Sequence, residues 1–258
     1  MKYFSAKPAP LLSATLRGLA LLLAGLVTGC SAPGPTAAPA LALVQKQWAA
    51  QDQAAWHEVR FPAKSPTVYS LDTRAPLDGN GQRTALKADA RSSASMLRKA
   101  VRIEPDDLAH IAFSWLVPAL INEADMANRD FDDSPVRLVL AFEGDRGTFS
   151  PKNAMLNELT RLVTGEEMPY ATLMYVWCNQ RPVDSVILNP RTDRIRKLVV
   201  ESGPQGVKQW RSYERDIRTD FVRAFGEAPG ALVGIGLMTD SDNTHSNAIA
   251  WYGPIALR

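Results

Sequence analysis

Two short acidic runs are the residues best suited to chemistry in this sequence. Asp130, Asp132 and Asp133 precede one apolar segment, and Asp240 and Asp242 follow another. Carboxylates gathered in two loops need counter-charge, which either a hard cation such as Ca²⁺ or an arginine side chain could supply. We therefore expect the two runs to converge at one end of the fold.

Arg137 is the residue we expect to neutralise these carboxylates, because its planar guanidinium can donate two parallel hydrogen bonds to one carboxylate. Asn243 adds an amide to the second loop. Three interpretations stay open: salt bridges and turn caps, a metal ion held by Asp132, Asp240 and Asp242, or direct ligand contact. The sequence requires no cofactor, and Ca²⁺ is the ion that such oxygen ligands would suit.

Aromatic side chains on predicted strands form the second group of candidates. We expect Tyr175 and Trp177 to line a wall beside the acidic runs, where their rings could stack on sugar rings. Strand aromatics also serve as core residues, so packing is the competing interpretation. Gly234 and Gly236 share one face of a later predicted strand and would allow another group to approach closely.

The sequence gives less support for a catalytic function. The sequence contains no Gly-x-Ser-x-Gly elbow, no phosphate-cradling loop, no dinucleotide fingerprint and no Cys/His cluster for zinc. These absences favour a non-catalytic ligand-binding protein, and no catalytic residue is assigned. The alternatives are a carbohydrate-active hydrolase, which needs only two suitably separated carboxylates, and a structural partner in an envelope complex.

Residues 1–29 have the pattern of a bacterial lipoprotein signal peptide. Lys2, Lys7 and Arg17 precede an uncharged run at 18–27, which is too short to span a membrane. The run ends in Val-Thr-Gly-Cys, which resembles a lipobox and implies cleavage before Cys30 and acylation of that cysteine.

Acylation at Cys30 would make the membrane a partner through the lipid anchor. Ser31 stands where lipoproteins retained in the inner membrane generally carry Asp, which favours the outer membrane facing the periplasm. Residues 30–40 then form the acylated cysteine and a flexible Pro/Ala-rich tether. Cys178 is the other cysteine, and we expect it to be buried.

Composition narrows the protein class. The chain has 258 residues, of which 46% are hydrophobic and 22% charged, as in ordinary globular proteins. Its formal net charge of +2 is too small to indicate a nucleic-acid partner. A glycan or another envelope component is the expected ligand, and an envelope protein the alternative partner.

Short strand-like runs separated by turn residues predict a mainly β fold. We expect residues 41–258 to form one domain, a two-sheet antiparallel sandwich of the jelly-roll or galactose-binding-like type with two or three short inserted helices. An Asp-Gly-Asn-Gly turn is expected at 78–81. The predicted strands lie at 57–61, 67–72, 84–91, 95–104, 109–117, 136–142, 172–177, 185–188, 196–201, 232–240 and 248–257.

Three segments predict helices. Residues 41–56 form the first. Ser150 and Pro151 favour a helix start, an apolar stripe follows, and Gly165 favours its end. The third has aromatic or aliphatic side chains at a spacing of four, namely Tyr213, Ile217, Phe221 and Phe225.

Several motifs occur in an order that resembles the DUF3047 family of bacterial envelope proteins of unknown function. They are the Arg-Asp-Phe-Asp-Asp-Ser-Pro-Val-Arg run at 129–137, Tyr-Val-Trp at 175–177, Glu-Arg-Asp-Ile at 214–217 with Phe-Gly at 225–226, Thr-Asp-Ser-Asp-Asn-Thr at 239–244 and Ala-Trp-Tyr-Gly at 250–253. The resemblance extends from about residue 61 to the end of the chain. It implies an envelope location and names no activity.

Overall fold

The computed structural model describes residues 41–44, 46–76 and 82–258, and the side chains of these residues except 74–76 and 82. The signal peptide, Cys30, the tether and the 78–81 turn lie outside these ranges. The described elements are β1 Leu41–Val44, α1 Ala50–Ala54, β2 His57–Arg60, β3 Val68–Pro76, β4 Gln82–Arg91, β5 Ala94–Ile103, β6 His110–Leu116, β7 Ser134–Phe142, α2 Pro151–Thr164, β8 Ala171–Cys178, β9 Val186–Leu188, β10 Ile195–Ser202, β11 Trp210–Asp216, α3 Ile217–Phe225, β12 Leu232–Asp240 and β13 Asn247–Leu257.

The strands assemble into two sheets. One has six strands in the order β11-β6-β13-β4-β3, with β1 also paired to β13. The other has seven strands in the order β2-β5-β12-β7-β8-β10-β9. The described pairings are antiparallel except that between β8 and β10, which is parallel. The predicted mainly β, two-sheet antiparallel sandwich with short helices is confirmed.

The core lies between the two sheets, as strand alternation requires. On β7, Leu138 and Leu140 are fully buried in the core, alongside Phe113 and Trp115 from β6. The intervening β7 residues face the other way, onto the outer surface of the seven-stranded sheet. Cys178 is a buried free cysteine, as predicted.

Two predicted helices were partly wrong. Residues 41–56 contain strand β1, whose Leu41 pairs with Leu257, before the five-residue helix α1. Tyr213 lies in β11, because it pairs with Phe113 in the six-stranded sheet. Helix α3 begins after it, where the Asp216 side chain accepts a hydrogen bond from the Thr219 N–H at 2.9 Å.

Helix α2 begins and ends as predicted. The Ser150 hydroxyl accepts from the Asn153 N–H at 3.3 Å, and Gly165 ends the helix with a φ of 76°. Its apolar stripe is nevertheless mostly exposed, with Met155 at 66%, Leu159 at 56%, Leu162 at 73% and Val163 at 57%, whereas Leu156 is half-buried. Across the described ranges, neither this helix nor another is both long and apolar enough to cross a bilayer.

Candidate functional site

The two acidic runs converge, as predicted, because β7 and β12 are antiparallel neighbours. The end of β12 therefore lies beside the start of β7, and Asp240 pairs with Ser134. The Asp240 carboxylate accepts a hydrogen bond from the Ser134 N–H at 3.0 Å. This pairing connects the loop before β7 to the loop after β12.

Arg137 is the counter-charge, as the sequence indicated. It is only 3% exposed and donates to Asp240 through Nε at 3.1 Å and through Nη2 at 2.9 Å. The same Nη2 donates to the Asp132 backbone oxygen at 2.8 Å and to Asp132 Oδ1 at 3.1 Å. One guanidinium thus holds a carboxylate from each acidic run.

Lys197 is a second buried cation that the sequence analysis missed. It lies on β10, is 1% exposed, and its ammonium group donates to both oxygens of Asp132 at 2.6 Å and to the Met126 carbonyl at 2.7 Å. Burial and the positive charge of Arg137 lower the pKa of Lys197 to about 8, against the opposing effect of Asp132. Its one sequence signal is a lysine directly before the apolar run 198–200.

Asp133 connects the two loops through backbone and hydroxyl donors. Its buried carboxylate accepts from the Asn243 N–H at 3.1 Å, the Thr244 N–H at 2.7 Å and the Thr244 hydroxyl at 2.6 Å. The Asn243 side chain donates to the Arg129 carbonyl at 3.1 Å. Asn243 therefore ties the loops together as well as lining the adjacent cleft.

The remaining two aspartates differ in position. Asp242 forms an ion pair with Lys64 from the segment after β2, and its side chain lines the cleft. Asp130 is exposed, and its backbone N–H donates to Asn128. Asp130 is not among the residues that line the cleft.

Three carboxylates lie close enough to share a metal ion. One oxygen from each of Asp133, Asp240 and Asp242 lies within 4.8 Å of the others. Burial raises the pKa of Asp240 to about 6; Arg137 opposes this rise, while Asp133 and Asp132 add to it. A Ca²⁺ ion would suit such oxygens but would compete with Arg137, Lys64 and the Asp133 donors, so calcium binding stays a prediction. Asp132, also expected at a metal site, is held by Arg137 and Lys197 instead.

Tyr175 and Trp177 do not form the wall that we expected. They are 0% and 1% exposed and lie in the core between the sheets. The Tyr175 hydroxyl donates to Asp220 at 3.0 Å, and the Trp177 indole N–H donates to the Gly203 carbonyl at 3.0 Å. Since β8 is apolar on both faces, its sequence did not reveal which residues face outward.

A cleft of about 770 Å³ occupies the outer face of the seven-stranded sheet. Its lining includes Met96, Val139 and Met174 from three different strands, together with Gly234 and Gly236. A Cβ at Gly236 would lie 2.5 Å from Met96 Sδ and 3.3 Å from Val139 Cβ. The close approach predicted at a strand glycine is therefore made by Met96.

Helix α2 and charged side chains complete the cleft. Leu159 and Val163 of α2 belong to its lining, as do Arg98 and Glu166. Arg98 donates to the two Glu166 oxygens at 2.6 and 2.9 Å. Arg137, Lys197, Asp132 and Asp240, the buried ion-paired group, also line the cleft. The arrangement can hold a molecule of moderate size between apolar and charged surfaces.

Comparison with known proteins gives one family and several weak structural likenesses. The model of the family described as "Protein of unknown function (DUF3047)" matches residues 54–256. No curated protein matches the chain. One similar structure is a family 11 carbohydrate-binding module from Clostridium thermocellum in complex with a β-1,3-1,4-mixed-linked tetrasaccharide. The two chains share 8% sequence identity with a TM-score of 0.40, and the match covers 84% of this chain and 94% of that one.

Two further structures are similar at the same level. The cellulose-induced protein Cip1 has 9% identity and a TM-score of 0.37, covering 81% of this chain and 91% of its own. The xyloglucanase domain of NopAA from Sinorhizobium fredii, in complex with cellobiose, has 10% identity and a TM-score of 0.33, covering 78% and 96%. Likenesses this weak carry no conclusion about ligand or activity.

Proposed function

The chain belongs to the DUF3047 family, whose description assigns no function, and we propose from its own site that it binds a ligand without transforming it. The observation that carries the proposal is the 770 Å³ cleft on the outer face of the seven-stranded sheet. Clefts of about 300–1,000 Å³ with mainly apolar linings and a few fixed polar groups are typical of ligand sites. The ligand is a glycan or another component of the cell envelope.

Polar side chains at the cleft support a glycan as one such ligand. Hydroxyl groups could hydrogen-bond to them, while the apolar floor contacts the C–H faces of sugar rings. These lining residues are Arg60, Thr160, Thr164, Asn189, Arg191 and Asn243.

The hydrogen bonds of the buried carboxylates support binding over catalysis. Asp132 and Asp240 are both held by Arg137, and Asp132 is also held by Lys197. A general acid or base must reach a substrate atom and exchange a proton with it. Carboxylates that are ion-paired within the protein fold are poorly prepared for that role.

One observation favours the hydrolase alternative. The pKa of Asp240 is raised to about 6 by burial, and a raised pKa is what a general acid in a glycosidase requires. In a hydrolase, soluble envelope polysaccharides would release reducing ends, and Asp240→Asn would abolish that release in a folded protein. Retention of the polysaccharide without product supports the binding function.

Filling the cleft should abolish binding. Ala141 lies on the cleft floor. We apply envelope components, extracted without detergent, to the immobilised protein and measure how much it retains. Ala141→Trp should weaken the affinity by about tenfold or more, and a tenfold loss corresponds to about 1.4 kcal/mol. Ala112→Trp is the matched control, because Ala112 is similarly half-buried on the outer face of the six-stranded sheet. Equal retention by the wild type and both variants would contradict a binding site in this cleft.

We propose further that the protein is an envelope lipoprotein anchored at Cys30. The signal-peptide pattern before Val-Thr-Gly-Cys supports this location. Cys30→Ala should stop incorporation of radiolabelled palmitate and shift the protein out of a membrane fraction washed with high salt. Cys178→Ala, which removes the other cysteine, should leave labelling unchanged. A Cys30→Ala protein that still takes up the label would contradict the lipobox assignment.

A further inference from the structure

We propose that the ligand of this cleft carries an aliphatic chain and an anionic head group. This inference rests on the proposed binding function and names the class of ligand for the same site. It is carried by the kind of apolar side chain that lines the cleft and by a lining arginine that lies outside the described ion pairs.

The apolar lining is aliphatic and flexible. Met96, Met174 and Met238 come from three different strands, and Phe61 is the sole aromatic residue among the described lining residues. Unbranched methionine side chains adapt to flexible apolar partners. A sugar-binding platform would instead present rigid aromatic faces, but the rings of Tyr175 and Trp177 are buried in the core.

Helix α2 provides an apolar wall that faces this floor. Leu159 and Val163 line the cleft although they are 56% and 57% exposed. A chain lying between them and Val139 would remove apolar surface of both the protein and the ligand from water. Full burial of each methylene contributes about 0.8 kcal/mol, or nearly fourfold in affinity.

One lining cation is available to an anionic head group. The buried cations Arg137 and Lys197 pair with Asp132 and Asp240. Three further lining cations are also paired, Lys64 with Asp242, Arg98 with Glu166 and Arg60 with Glu58. Arg191 is exposed and forms none of the described ion pairs, so its guanidinium is free to bind a carboxylate or phosphate group.

The test uses defined probes and the full-length chain with Cys30→Ala, which removes the proposed acylation site. Calorimetric titration below micellar concentrations compares octanoate, decanoate and dodecanoate, then dodecyl phosphate and dodecyltrimethylammonium. We expect the dissociation constant to fall with each pair of added methylenes, by up to about fifteenfold. Dodecanoate or dodecyl phosphate should bind more tightly than the cationic probe, and the tighter of the two identifies the head group.

Two substitutions on one helix localise the binding. Leu159→Asp should weaken dodecanoate binding by about tenfold or more, whereas Leu162→Asp should not, because Leu162 is 73% exposed and does not line the cleft. Circular dichroism verifies that both variants fold. Equal losses in the two variants, affinity that does not depend on chain length, or equal binding of the cationic probe would overturn the inference.

The outcomes also separate this inference from the proposed function. If chain-free oligosaccharides bind, dodecanoate does not, and Ala141→Trp abolishes the sugar binding, the cleft is a ligand site but the aliphatic class is wrong. If neither the probes nor envelope extracts bind in a way that depends on Ala141, both proposals fail.

Discussion

Arg137→Met should lower the free energy of unfolding by about 3–5 kcal/mol, because it leaves Asp240 buried without its bidentate partner. The side chains of Arg137 and Asp240 are 3% and 5% exposed, so water cannot readily replace the lost hydrogen bonds. Asp132 keeps Lys197 and should contribute less to the loss. Urea-induced unfolding, extrapolated to zero denaturant, measures the change.

A surface ion pair and a double variant test this explanation. Arg161→Met breaks the exposed Arg161–Glu158 pair and should leave the unfolding midpoint unchanged. Combining Arg137→Met with Asp240→Asn should be less destabilising than the sum of the single changes, since the unpaired charge is removed. Strict additivity would show that Arg137 stabilises the fold by packing alone.

The convergence of the acidic runs was predictable, whereas the full set of their partners was not. Asp132 and Asp240 flank apolar segments, and adjacent antiparallel strands bring such flanks together. Arg137 is close to Asp132 in sequence, and its guanidinium chemistry identified it as the counter-charge. Lys197 is 65 residues from Asp132 and reaches it only through the pairing of β10 with β8. Local sequence carries little information about a contact set by strand order.

The predicted orientation of the β8 side chains was wrong for a different reason. Its burial pattern is nearly continuous, so the period-2 alternation that identifies an inward face is missing. The sequence therefore did not show which residues of β8 face the core. Assigning Tyr175 and Trp177 to a ligand wall had no support from an alternating pattern. On β12, by contrast, Gly234 and Gly236 alternate with bulky residues, and the close approach at Gly236 was predicted correctly.

Helix α2 shows what an amphipathic sequence pattern can and cannot predict. Its cap residues predicted its ends, because Ser150 and Gly165 act through local backbone geometry. Its apolar stripe was also predicted, but Leu159 and Val163 of that stripe line an open cleft instead of the core. A stripe reports that a helix has an apolar side and does not identify what covers that side. The cleft was therefore absent from the sequence-based prediction.

Trp177→Ala should lower the free energy of unfolding by about 3–5 kcal/mol, the usual range for removing a fully buried large aromatic side chain. The indole is 1% exposed, donates to the Gly203 carbonyl at 3.0 Å and contacts Gly206, where a Cβ would lie 3.2 Å from Cη2. Truncation would leave a cavity and an unpaired carbonyl. Leu162→Ala, at 73% exposure, should change stability by less than about 0.5 kcal/mol in the same urea titration. A Trp177→Ala protein with wild-type stability but lost ligand binding would restore Trp177 to the binding surface and contradict its placement in the core.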